Sequence, residues 1–397
     1  MKFALLVKNF RKYVRSSIQI AKRDLVKLPI MDFYGSSHSR RVLITYVSKS
    51  FRSKLDISHT SNRDVIEIAN VFNHLGFNVD IVDYNYDGEI DYNRYNVIFG
   101  FGDPLIKSFY NRRKPLVTIY YGTGMHIETQ NANTLKRIEE VFQNKQKWLP
   151  GSGRIVEQAW SVQTTLVTAL ILLGNELVRQ SYAKYFSKNI FLIPPPYFKV
   201  VEYDEILEKK NFADARIHFL WFGSSGLIHK GLDILLEVFA DRPELNLHIC
   251  GPITGEPEFC RVFHKELFGT KNIFNHGFTP IDSPLFRQLL ETCAFTIFPS
   301  CSEGGGVSVL NVLGNGGLVP LLSKEASIDI DDFGIQINAL STDGVTAAIN
   351  SALQLDVDEI KLRSRKAAEK VNLVNSVENY RRHLTNSLEQ ILKQNEL

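Results

Sequence analysis

The chain has 397 residues, 44% hydrophobic and 22% charged, with 46 basic and 43 acidic side chains and a net charge of +3. That length exceeds what one hydrophobic core serves, so two domains are expected, and the balanced charge gives no footing for nucleic acid as a partner. No run approaches the ~20 apolar residues of a membrane span, and Lys8 interrupts the apolar stretch from Phe3 to Val7 too early for a secretory signal.

The first forty residues stand apart. Lys2, Lys8, Arg11, Lys12, Arg15, Lys22, Arg23 and Lys27 face a single acid, Asp24. Phe10, Val14, Ile18, Ala21, Leu25 and Leu28 recur at helical spacing, so residues 1–40 read as a basic amphipathic extension. Residues 1–28 suit two duties that periodicity does not separate. One is attachment to an anionic membrane surface, and the other is packing on the chain's own domain with a solvated basic face.

From Arg41 strands and helices alternate. Strands are expected at Val42–Val47, Val79–Asp83, Asn96–Phe99, Leu116–Tyr120, Leu170–Leu173 and Ile190–Ile193, with a helix from Asn62 to Leu75 stopped by Gly76. The run Pro194-Pro195-Pro196 continues neither element and reads as a hinge or linker. A second series follows: strands at Ile217–Phe222, Leu245–Cys250, Ile273–Gly277, Ala294–Phe298 and Leu318–Leu322, and helices at Leu232–Phe239, Pro284–Thr292 and Val307–Asn315. A long helical pattern, Ser376–Gln394, ends the chain. The expected fold is α/β, two doubly wound Rossmann-like domains spanning 41–196 and 197–375, followed by a helix over 376–397.

Ligands bind beyond the carboxyl ends of strands in open parallel sheets. Three loops of the second series meet that condition: Gly223-Ser224-Ser225-Gly226 leading to His229-Lys230-Gly231, then Gly251-Pro252, then Cys301 to Gly306. In the last, a lone carboxylate, Glu303, precedes three glycines that open a helix at Val307. Glycines admit close backbone approach, and a helix start offers unpaired N–H groups, a combination that suits an anion such as a diphosphate. Lys230 could add a point charge, or be a solvated lysine before a turn glycine. Glu303 could touch a ligand or cap the helix. In the first series Tyr120-Tyr121-Gly122-Thr123-Gly124-Met125-His126 follows a strand, whereas Gly100-Phe101-Gly102-Asp103-Pro104 reads as a tight turn.

Over roughly 217–320 these pieces resemble the donor domain of GT-B glycosyltransferases, specifically the retaining family 4 class. The resemblance rests on Phe222-Gly223, His229-Lys230-Gly231-Leu232-Asp233, Cys250-Gly251, His276-Gly277-Phe278, Phe298-Pro299-Ser300, Glu303-Gly304 and Asn311. It implies two domains facing a central cleft, the first holding an acceptor and the second a nucleotide-sugar donor. Lys230 would contact the donor diphosphate and Glu303 the donor sugar. Gly304, Gly305, Gly306 and Val307 would cradle phosphate; Gly223, Ser224, Ser225 and Gly251 would line the donor. Phe278 and Thr279 would meet the base. Asn311 would hold the ribose or make an internal hydrogen bond; His126, with Thr123 and Gly124, would orient sugar or acceptor, or be structural.

Two departures stand out. Ser224 and Ser225 occupy the place where the family carries a cation, and Asn311 replaces a glutamate. Transfer would need no metal and no cofactor beyond the donor itself, and the sequence has no DxD near the glycine loops. Ser327 to Asp332 holds closely spaced acids that read as a solvated turn. The acceptor would be a glycan or lipid-linked sugar in surface polysaccharide or glycoconjugate synthesis. The alternative is a catalytically impaired nucleotide-sugar or glycan binder. Cys250, Cys260, Cys293 and Cys301 form no CxxC pair and have no histidine at zinc spacing, so they read as reduced core thiols. The expected setting is cytoplasmic, with the basic extension allowing a peripheral place at the inner membrane face.

Overall fold

A computed structural model describes residues 28–52, 57 and 61–397. The basic amphipathic helix expected over the N-terminal residues lies outside the described residues. Among the described residues twelve strands form two parallel six-stranded sheets, as the alternation predicts. The first joins β1 (Arg40–Tyr46), β2 (Phe77–Asp83), β3 (Val97–Gly100), β4 (Val117–Gly122), β5 (Ala169–Leu173) and β6 (Ile190–Ile193) in the order β2-β1-β3-β4-β5-β6. The second joins β7 (His218–Phe222), β8 (Asn246–Cys250), β9 (Ile273–Gly277), β10 (Phe295–Phe298), β11 (Val319–Ser323) and β12 (Ile335–Ile337) in the order β12-β11-β10-β7-β8-β9.

The central strands are buried along their whole length, as ALILL in β5 and FTIF in β10 illustrate. A parallel sheet covered by helices on both faces selects such unbroken apolar runs. In the second sheet the core is continuous from Phe219 and Trp221 through Leu235, Phe239 and Phe259 to Phe298 and Val309.

The chain divides into two compact units. One comprises 1–120, 166–168 and 388–397; the other comprises 121–165 and 169–387. The second unit therefore contains the helix Ile127–Lys145 as well as the second sheet. The Pro194-Pro195-Pro196 run lies in its interior. Among the described residues no helix is long and apolar enough to cross a membrane. All four thiols are free, and Cys250, Cys293 and Cys301 are buried.

Candidate functional site

Strand order in the second sheet reverses between β7 and β10, which pair in parallel. Such a switch point splays the loops leaving the two carboxyl ends and opens a crevice. The loop after β7 carries Lys230 and the loop after β10 carries Glu303. All the residues below belong to the second unit.

The two loops are fastened together by close backbone approach. Gly231 adopts φ +67°, and a Cβ there would overlap the carbonyl oxygen of Pro299. Only glycine meets both conditions. Cys301 N donates to His229 O at 2.9 Å, completing the link. Lys230 Nζ then lies 2.5 Å from Glu303 Oε1, with the lysine side chain 3% and the glutamate side chain 11% exposed. The ammonium also sits 5.2 Å from the centroid of the Phe298 ring.

Burial alone would push the Glu303 carboxyl up. Lys230, Arg154 and His229 outweigh it and hold the group down to about 2. Burial lowers the Lys230 ammonium, and Glu303 opposes that shift. The pair is thus a buried ion pair, and Glu303 is ionised at neutral pH. Ser300 Oγ stands 3.0 Å from Glu303 Oε1 and 3.2 Å from His229 O, so one proton is shared between two acceptors.

His229 is fully buried and supports the loop from below. Its Nε2 donates to Ser302 O at 2.6 Å, which leaves Nδ1 to accept from the Thr134 hydroxyl at 2.8 Å. Burial pushes its pKa down to about 4, so the ring is neutral. Thr134 belongs to the Ile127–Lys145 helix, as do Asn133, which donates to Cys301 O at 2.9 Å, and Arg137, which pairs with Asp233 at 2.6 Å. One helical face thereby grips both loops. Ser302 Oγ is buried with no hydrogen-bond partner among the described residues, an unspent polar group beside Glu303.

After Glu303 the backbone enters the left-handed region at Gly305 (φ +89°) and Gly306 (φ +44°), and the helix Val307–Gly316 starts with no side-chain cap. No side-chain acceptor sits at its positive dipole end. Gly304 touches the first-series loop: a Cβ there would overlap Thr123 O, and Gly124 Cα would lie at 2.8 Å. Thr123 and Gly124 are accordingly brought to the glycine loop.

The remaining predicted residues fall into two groups. Gly223, Gly251 and Gly277 are adjacent: Gly223 N donates to Cys250 O and Gly251 N to Gly277 O, both at 2.9 Å. Phe278 beyond them is exposed at 59%, whereas Thr279 is buried with its hydroxyl 3.3 Å from Gly277 O. Ser224 and Ser225 are exposed.

His126 and Asn311 are placed differently from a ligand-facing expectation. His126 is 1% exposed and caps the Ile127–Lys145 helix, its Nδ1 accepting from Glu128 N at 3.3 Å. Its Nε2 therefore donates to Thr164 Oγ1 at 3.1 Å, whose own proton goes to Ser161 O. The ring stacks on Tyr185 with centroids 4.2 Å apart, and burial lowers its pKa to about 4. Both nitrogens are committed to structure. Asn311 Oδ1 accepts from Phe198 N at 2.8 Å, the internal hydrogen bond of its two readings.

Sequence reasoning missed Arg154, Glu256 and Thr134, and quoted Ser300 without a contact of its own. Glu256 takes the amides of Gly226 at 2.5 Å and Leu227 at 3.2 Å. Arg154 Nη1 lies 3.9 Å from Glu303 Oε2. The signal for Arg154 was a charged residue ending the turn Gly151-Ser152-Gly153, but nothing local says which loop it meets.

No family model matches the sequence, and no curated protein matches it. Solved structures do. Sucrose-phosphate synthase from Thermosynechococcus elongatus superposes with TM-score 0.59 at 12% identity, covering 89% of this chain and 99% of that one. The Anabaena protein HepE, solved in complex with UDP-glucose, gives TM-score 0.59 at 11% identity over 88% of this chain and 99% of its own. The α,α-trehalose 6-phosphate synthase of Burkholderia multivorans gives 0.57 at 8% identity over 90% and 100%. The fold is GT-B. In the GT-B chain described here, the Lys230–Glu303 pair occupies the switch point of the second sheet. Among its described residues no cluster of three or more His, Cys, Asp or Glu side chains is arranged to hold a metal ion.

Proposed function

We propose that the protein is a glycosyltransferase that moves a sugar from a nucleotide-sugar donor to a glycan or lipid-linked acceptor, with retention of anomeric configuration. The observation that carries this reading is the buried Lys230–Glu303 pair beside the uncapped helix start at Val307, at the switch point of a parallel sheet. The amides of Gly305, Gly306 and Val307 cradle the diphosphate, and Lys230 neutralises the charge that grows on it as the sugar bond breaks. Glu303, ionised at neutral pH, accepts hydrogen bonds from sugar hydroxyls. Phe278, aromatic and exposed, offers a face to the base. The UDP-glucose bound by HepE is of the same donor class. The reaction belongs to surface polysaccharide or glycoconjugate synthesis at the cytoplasmic side of a membrane, with residues 1–28 as the attachment.

One observation favours a second reading, a nucleotide-sugar binder without transfer: two amides of the loop after β7 are already occupied by Glu256. Calorimetric titration with UDP-, GDP- and ADP-sugars, followed by assays for transfer to glycans and for hydrolysis, separates the two. Binding of one donor class with nucleotide release supports the transferase. Binding with neither transfer nor hydrolysis supports the binder. No binding by any donor overturns both.

A further inference from the structure

The anion-binding groups of the site are unequally available. Lys230 Nζ is 3% exposed and already bonded to Glu303. The loop after β7 has no charged residue between Gly223 and Leu227, and its Gly226 and Leu227 amides are spent on Glu256, itself buried. A diphosphate carries at least two negative charges, so an additional cation is needed where the ligand enters.

We propose that Arg154 supplies it, as the cation that receives the donor diphosphate at the open side of the Lys230–Glu303 pair; this rests on the donor-binding reading above. Its backbone is fixed for the task. Gln130 Nε2 donates to Arg154 O at 2.7 Å, and Ser152 O accepts from Ile228 N at 3.1 Å. The turn before Arg154 is thereby docked on the loop that leads into Lys230. The side chain then crosses Gly226, where an added Cβ would overlap Arg154 Cγ and lie 2.9 Å from Cδ. The absent side chain at 226 is the channel along which the arginine reaches the site.

The guanidinium is 45% exposed, and its nearest acid oxygen, Glu303 Oε2, is 3.9 Å away. That separation gives Coulombic attraction without a hydrogen bond, so among the described residues the fork of N–H donors has no hydrogen-bond acceptor. A planar fork matches two phosphate oxygens at once, which a lysine does not. Arg154 comes from the segment after the Ile127–Lys145 helix, 72 positions before Gly226, and does by tertiary contact what Ser224 and Ser225 do not do locally.

The test is calorimetric titration of the full chain with UDP, GDP and ADP, using wild type, Arg154→Ala, Arg154→Gln, Arg154→Lys and Lys230→Ala. A charge-assisted pair contributes about 1.5–3 kcal/mol, equivalent to about 10- to 140-fold in Kd. The expected result is a loss of that size in the Ala and Gln variants for the best-bound nucleotide, partial recovery in Arg154→Lys, and melting temperatures within about 2 °C of wild type, since an exposed side chain is removed. Wild-type affinity in Arg154→Ala beside a loss in Lys230→Ala overturns the role of Arg154 and leaves the donor site standing. Wild-type affinity in Arg154→Gln beside a loss in Arg154→Ala also overturns it, because charge is then not what the residue supplies. Failure of the wild type to bind any of the three nucleotides overturns the donor reading itself.

Discussion

The loop after β7 and the loop after β10 are both rich in glycine and serine, and both leave the carboxyl end of a strand, yet they use their backbone groups in opposite ways. In the first, Glu256 accepts from the amides of Gly226 and Leu227, so a protein carboxylate fills the place an anionic ligand could take. In the second, Glu303 pairs with Lys230, and the helix that starts after Gly306 has no side-chain cap. Similar composition therefore leaves two backbone states, one with its amides held by an internal anion and one whose helix start has no side-chain cap, the place of the external anion in the function proposed above. What decides between them is whether an acid from elsewhere in the fold reaches the amides.

Breaking the second loop should have the largest effect. Lys230→Ala leaves a buried carboxylate uncompensated and is expected to lower stability by about 3–5 kcal/mol, read from urea denaturation, while abolishing measurable nucleotide binding. Glu303→Gln should do less, about 1–3 kcal/mol, because the amide still accepts from Lys230. Its acid signature is more telling. Glu303 is held down to about 2, so its contribution is complete above the ordinary carboxylate value of about 4.3 and erodes as pH falls toward 2. Denaturation midpoints measured between pH 5 and 3 should fall less steeply in Glu303→Gln than in wild type.

Changes in the first loop sharpen the contrast. Glu256→Ala strands two buried N–H groups and should destabilise by about 1–3 kcal/mol. Nucleotide affinity should stay level or rise, since a competing carboxylate is gone; a tenfold loss by calorimetry would assign that loop to the ligand instead. Ser225→Ala, at an exposed position, should change stability by less than about 0.5 kcal/mol.

Strands were legible because parallel sheets buried on both faces demand unbroken apolar runs, and LILL and FTIF announce themselves. The helix Ile127–Lys145 was not: its inward face carries Thr134 and Arg137, whose burial is satisfied by His229 and Asp233, so the apolar stripe that marks a helix is interrupted. The short strand Ile335–Ile337 was missed because it is an edge strand of three residues. At the site, Lys230 and Glu303 could be singled out together because each sits beside a glycine, and the structure brings the two side chains into contact. His126 carried two readings, orienting a ligand or holding structure, because its cap and its Thr164 partner, which favour the second, lie outside the local sequence. Arg154 was illegible for the reason that makes it informative: its partner loop lies far along the chain.

The Lys230–Glu303 pair also sets how the site would respond to ionic strength. With Glu303 ionised and His229 neutral, lysine and glutamate cancel, and Arg154 leaves the cluster with a net charge of one. Attraction from a single half-exposed charge fades over a Debye length of about 8 Å in physiological salt. Encounter with a dianionic ligand should then proceed at the unsteered rate of about 10⁵–10⁶ M⁻¹s⁻¹ and change little between low and high salt. Selectivity for the anion would reside in how long it stays.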